Sequence, residues 1–182
     1  MRWKIIVVVM LAVIFNGMGA RAEADGRERH GKATTSASGK VCEYEWTMYS
    51  PPEMIAPNVK VPEKIASSKD ALMAMYAYMY AGDVQNWRKL WNNAPNAPKF
   101  EVADETLQKG WKAWLQEPHY LLYQISYLNQ DIFVTEQKDS KRRAKFFFKK
   151  QDGRYCLNRD LAADDFAQFV DSPSFDPKTG KH

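Results

Sequence analysis

Histidine and cysteine are scarce in this chain, with three and two among 182 residues. His30 sits in a polar stretch near the start and His182 ends the chain. His119 is therefore the one histidine in the part expected to fold. A zinc site needs several His, Cys or carboxylate ligands at closed spacing. No such spacing is present, so neither a metal nor a cofactor is expected. Long hydrophobic runs are also missing. The two best, Ile5 to Phe15 and Ala71 to Ala81, are eleven residues each. A bilayer-spanning helix needs about 20.

An excess of positive charge is lacking too, once the N-terminus is set aside. Arg2 and Lys4 open the chain, the first apolar run follows, and Ala20-Arg21-Ala22 has the small-x-small form of a cleavage site. Residues 1–22 read as a signal peptide, with an uncleaved anchor as the alternative. Cleavage would leave no stable membrane anchor, and the product would be exported, periplasmic or secreted. The formal charge of +4 includes Arg2, Lys4 and Arg21, and the segment holds no acid. The remaining 160 residues thus carry +1, which gives no argument for a nucleic-acid partner.

An exported chain with two cysteines makes a Cys42–Cys156 disulfide the expected pairing. It would close a loop of over 110 residues, worth ~4–5 kcal/mol in the chain-entropy picture. Two separate buried thiols are the alternative.

Residues 23–40 contain no aromatic and no large aliphatic residue. They read as a flexible tether. A single domain is expected over 41–171 and a frayed, disordered tail over 172–182. VCEYEWTMY (41–49) alternates as a half-buried strand, and Pro51, Pro52, Pro57 and Pro62 hold the next segment extended across the surface.

DALMAMYAYMYA, from Asp70, is the helix around which the rest is arranged. Ala, Leu and Met favour helix, Ser67 and Asp70 form a capping pattern, and Gly82 supplies the stop. Apolar side chains surround it, so it should be covered on more than one side. Leu72, Met75, Tyr76 and Met79 form its first buried face, with Met73 and Tyr80 on a second side.

Asp83 caps a second helix to about Asn92, with Val84, Trp87, Leu90 and Trp91 on one face. Lys99 to Val102 reads as a short strand. Asp104 caps a third helix, to about Gln116, with Leu107, Trp111, Trp114 and Leu115 on one side. The period then changes to two. Strands are expected from His119, over 132–138, over 142–150 and over 154–160, joined by turns at Asn129-Gln130-Asp131, Asp139-Ser140 and Asp152-Gly153. Asp164 to Val170 adds a helical turn or two.

Three helices followed by a four-stranded antiparallel meander give an α+β class. The apolar helix ending in Ala81-Gly82-Asp83, the helix NWRKLW and the strand order over roughly 65–160 together resemble the nuclear-transport-factor-2-like (cystatin-like) superfamily, in an exported bacterial type. The resemblance implies a cone in which a curved sheet wraps the first helix. It also implies, in its enzymatic branches, an Asp base with tyrosine or acid donors at the open end. No aspartate of inward phase answers to that base, since Asp131 falls in a turn and Asp160 at a strand end. No catalytic residue is carried over, and an enzyme is the less favoured reading.

Two sets of side chains stand out. Tyr76, Tyr80, Trp87, Trp91, Trp111, Trp114, His119 and Tyr123 are the candidate lining of an apolar pocket, or simply core. Lys141, Arg142, Arg143, Lys145 and Lys149 form a basic hairpin, with Arg143, Lys145, Phe147 and Lys149 on one strand face and Ala144, Phe146 and Phe148 on the other. That basic face is either solvated or meets an anionic surface or an acidic partner protein. Three functions follow: a non-catalytic exported binding domain for an unknown small molecule or protein, an interaction or immunity-type module using the hairpin, and a small enzyme with a pocket at the cone mouth. The first is preferred, and a dimer is left open.

Overall fold

A computed structural model describes residues 28–34, 41–91, 102–158, 170 and 175–178. Its elements run β1 (Glu28–Thr34), β2 (Val41–Ile55), α1 (Ser68–Ala81), α2 (Val84–Lys89), α3 (Asp104–Trp114), β3 (His119–Tyr127), β4 (Gln130–Gln137), β5 (Arg143–Gln151) and β6 (Arg154–Leu157). The class is α+β. The six strands form one antiparallel sheet in chain order, β1 to β6. The expected signal peptide, most of the short strand at 99–102 and most of the turn at 164–170 lie outside the described residues. Among the described residues, no helix is long and apolar enough to cross a membrane.

The ends of α1 are set by local chemistry. Ser67 Oγ accepts from the Asp70 amide, and Asp70 Oδ2 accepts from the Ser67 amide at 2.9 Å, closing a capping box. Gly82 takes φ +68, and the Gly82 and Asp83 amides donate to the Met79 and Tyr78 carbonyls. This Schellman arrangement satisfies carbonyls that would otherwise be orphaned. Asp83 then caps α2 through the Asn86 amide. That helix stops at Lys89, short of the expected Asn92. The Leu90 carbonyl accepts instead from the Leu157 amide at 2.6 Å, and Trp91 forms a parallel bridge to Leu157. Asp104 does not cap α3. Ala103 holds the cap position, and Asp104 pairs with Arg88 at 2.7 Å.

β2 runs further than expected, through Pro51 and Pro52 to Ile55. Its register against β3 jumps between Met48 and Glu53, while β1 pairs it only as far as Thr47. The prolines therefore fall in a bulge where no neighbour needs their missing amides. β3 and β4 meet through Leu128 and Asn129 rather than through Asn129 to Asp131, because Tyr127 pairs with Gln130. That register keeps Ile125 and Ile132 opposite one another. It places Leu128 at φ +53, which no residue cue foretells. At Asp152-Gly153 both residues have positive φ, as the hairpin signal predicts.

The sheet is buried on both faces. On the inner face, Leu72, Met75, Tyr76 and Met79 of α1 pack with Ile55, Leu121, Phe133, Phe148 and Leu157. Met73 and Tyr80 are half-buried against the same core. On the outer face, Cys42, Tyr44, Trp46, Ile125, Tyr127, Ile132 and Phe147 form a second cluster with Val170 and Phe175.

Residues 28–34 are not part of a flexible tether, because they pair along β2 as β1. Residues 175–178 are not frayed. Phe175 stacks edge-on against Tyr44 at 5.9 Å, and Tyr44 Oη donates to the Pro177 carbonyl at 2.7 Å. Cys42 and Cys156 do not pair, and both thiols are free and buried. They stand on β2 and β6, with three strands between them. At about 4.8 Å per strand step, four steps far exceed disulfide reach. Cys42 Sγ instead lies 3.4 Å from Tyr127 Oη.

Candidate functional site

The tryptophans of α2 and α3 meet above the inner face of the sheet. Trp87 lies on α2 and Trp91 two residues beyond its end, while helical spacing places Trp111 and Trp114 on one side of α3. Trp87 stands 5.1 Å from both Trp91 and Trp111, with ring planes tilted by 67° and 58°. These are favourable aromatic arrangements, and they leave the rings unable to close on one another.

The space they leave is a cleft of about 380 Å³. Trp87, Trp91, Trp111 and Trp114 line it on the helix side, together with Met75 and Met79. Ala144, Phe146 and Leu157 line it from β5 and β6. Every lining side chain is apolar apart from the indole nitrogens. Sequence reading reached the four tryptophans but not the five other lining residues. The in-phase row Ala144, Phe146, Phe148 was visible, as was the core face of α1. Which members of each row would border open space was not.

The other expected pocket residues are placed differently. Tyr76 and His119 stand behind the cleft wall. Tyr76 is 5.8 Å from Phe146, His119 is 4.8 Å from Trp114, and the two rings are 5.2 Å apart. Tyr76 Oη shares a 2.9 Å hydrogen bond with Thr135 Oγ1, and burial pushes its pKa well above the usual phenol range. Tyr80 packs on the same core without lining the cleft, and burial raises its pKa. Tyr123 is on the outer face, paired with Val134 and half-buried beside the second cluster. There it lines a different cavity of about 430 Å³, between the β2 bulge and the C-terminal segment.

His119 is fully buried, and neither ring nitrogen has a hydrogen-bond partner among the described residues. Burial lowers its pKa to about 4, against a smaller opposing effect of Glu117. The imidazole is neutral at pH 7 and lacks the orienting partner that a general base requires. The Glu117 carboxylate is occupied elsewhere, accepting the Asp139 and Ser140 amides.

The basic hairpin does not present one free cationic face. Arg143 pairs with Glu136 at 2.9 Å and Lys141 approaches the same carboxylate at 3.7 Å. Lys145 Nζ donates to the Val170 carbonyl at 2.5 Å. Phe147, between Lys145 and Lys149, is buried under the C-terminal segment. On this outer face Phe147 is covered and Lys145 is tied down, while the Arg143 side chain stays largely exposed to solvent. Arg142 turns to the inner side, its guanidinium 5.8 Å from the Trp114 ring centre, and Lys150 at the far end of β5 lies 5.5 Å from the Tyr155 ring centre.

Comparison of the chain with protein-family models, curated proteins and solved structures returns no match. The geometry of the cleft therefore carries the functional argument.

Proposed function

We propose that this chain is a non-catalytic binding domain of the nuclear-transport-factor-2-like kind, exported to the periplasm or beyond, and that it takes a small apolar ligand in the tryptophan cleft. The observation that carries the reading is the cleft itself: about 380 Å³, walled by four tryptophans, two methionines, Ala144, Phe146 and Leu157. Small-molecule sites are concave, predominantly apolar and of this size. The cone is supported by the order of elements and by α1 packing across the inner face of an antiparallel sheet. With both cysteines free, the export reading rests on residues 1–22 alone.

The test is a fluorescence titration with the neutral apolar dye N-phenyl-1-naphthylamine. Wild type should bind it saturably at one site. Ala144→Phe, which fills the cleft from the sheet side, should weaken binding at least about tenfold, the scale on which an aromatic ring displaces its own volume of ligand. Thermal melts should show that the variant still folds. Undiminished dye binding in a folded Ala144→Phe protein would refute the site.

A further inference from the structure

We infer that the ligand of the cleft is an amphipathic anion, with its apolar body among the tryptophans and a carboxylate-like head on Arg142; this rests on the binding-domain reading above. Three observations converge on Arg142.

The first is position. Ala144 and Phe146 line the cleft from β5, and Arg142 stands immediately before that strand, two residues ahead of Ala144. Its guanidinium leans over Trp114, itself a lining residue, within cation–π range. The side chain is exposed, so its charge stands at the rim and not in the floor.

The second is the fate of the nearby acids. Glu136 is held by Arg143 and Lys141, and Glu117 by the amides of Asp139 and Ser140. Among the described residues no carboxylate pairs with Arg142, whose only side-chain contact of note is the Trp114 ring. Its five donors are left for an outside acceptor.

The third is the character of the lining. No acidic or basic side chain is among the nine residues of the cleft. A ligand charged along its length would lose hydration without compensation. A neutral apolar ligand would leave Arg142 unused. A ligand apolar at one end and anionic at the other satisfies both, and the planar guanidinium suits a carboxylate in a bidentate grip.

Competition against bound N-phenyl-1-naphthylamine tests this with two matched pairs. Decanoate is compared with decanamide, and 2-naphthoate with 2-naphthamide. In wild type, the acid of at least one pair should displace the dye at about five- to tenfold lower concentration than its amide, the difference expected between charged and neutral hydrogen bonds. Which pair does so identifies the body as alkyl or aryl. Arg142→Gln should bring that ratio to about one while leaving the amide unchanged, and Arg142→Lys should restore part of it. Added salt should shrink the ratio, because the cation is at the rim. Equal potency of acid and amide in wild type, or an unchanged ratio in Arg142→Gln, overturns the anion inference and leaves the apolar site standing. Failure of wild type to bind the dye at all overturns both.

Discussion

His119 shows how one side chain ties burial to pH. Its ring lies between Tyr76 and Trp114, fully out of water and, among the described residues, without a hydrogen bond at either nitrogen. Its pKa falls to about 4 in the folded chain, from 6.5 when unfolded. Between those values the unfolded chain binds a proton that the folded chain does not. Stability is therefore highest above pH 6.5, falls as pH drops towards 4, and loses no more from this group below that. A shift of that size corresponds to roughly 3 kcal/mol over the whole window. Denaturant melts at pH 7 and pH 5 should show wild type losing about 2 kcal/mol from this source. His119→Phe keeps the ring contacts and removes the titration, so its loss over the same interval should be smaller by that amount. Equal losses in the two proteins would mean that the imidazole is hydrated or paired.

At the scale of the element, α1 is the best specified part of the chain. Its capping box, its left-handed stop at Gly82 and its apolar circumference all lie between Ser67 and Gly82. Met75 is 1% exposed and sits where α1 meets the sheet, with its side chain also forming part of the cleft. Met75→Ala should destabilise by ~2–5 kcal/mol, towards the lower end because the cleft offers room for relaxation. Met75→Asp should cost more, since it buries an unpaired charge. Chemical denaturation of both against wild type is the measurement. A near-neutral Met75→Asp would contradict the packing of α1 on the sheet. The shorter helices depend more on their surroundings. α2 ends where the Leu90 carbonyl is claimed by β6, and α3 starts without a side-chain cap while Asp104 faces Arg88.

For the whole molecule, the sheet has two cores and the chain must supply two covers. The helices cover the inner face. The outer face is covered by residues near the C-terminus, where Phe175 is 5% exposed and Pro177 accepts the Tyr44 hydroxyl proton. Phe175→Ala should therefore cost about 3 kcal/mol or more, the range for a buried phenylalanine. Urea melts would read it. A frayed end would tolerate the change within ~0.5 kcal/mol. The same two-faced arrangement divides the residues proposed for a pocket. Tyr123 and the tryptophans of the cleft lie on opposite sides of the sheet, because the β3–β4 register shifts between Leu121 and Tyr123 and turns Tyr123 to the outer face.

What the sequence determined by itself is what short-range chemistry controls. The cap and stop of α1, the Asp83 cap of α2, the alternation of Cys42, Tyr44 and Trp46, the phase of Ala144, Phe146 and Phe148, and the Asp152-Gly153 turn all depend on residues within a few positions of each other. Only the tertiary structure decided matters that depend on distant partners. β1 becomes a strand because β2 offers it an edge, although its own residues carry no large apolar group. The cysteines stay apart because strand order, not cysteine count, sets their separation. Leu128 takes a left-handed turn because the Tyr127–Gln130 register requires it there. The cleft exists because Trp91 and Trp111 pack against Trp87 at steep angles and, with Trp114, leave space over β5 and β6. Residue type made those indoles visible in the sequence, but whether they would fill a core or wall a cavity depended on backbone separations that no local pattern encodes.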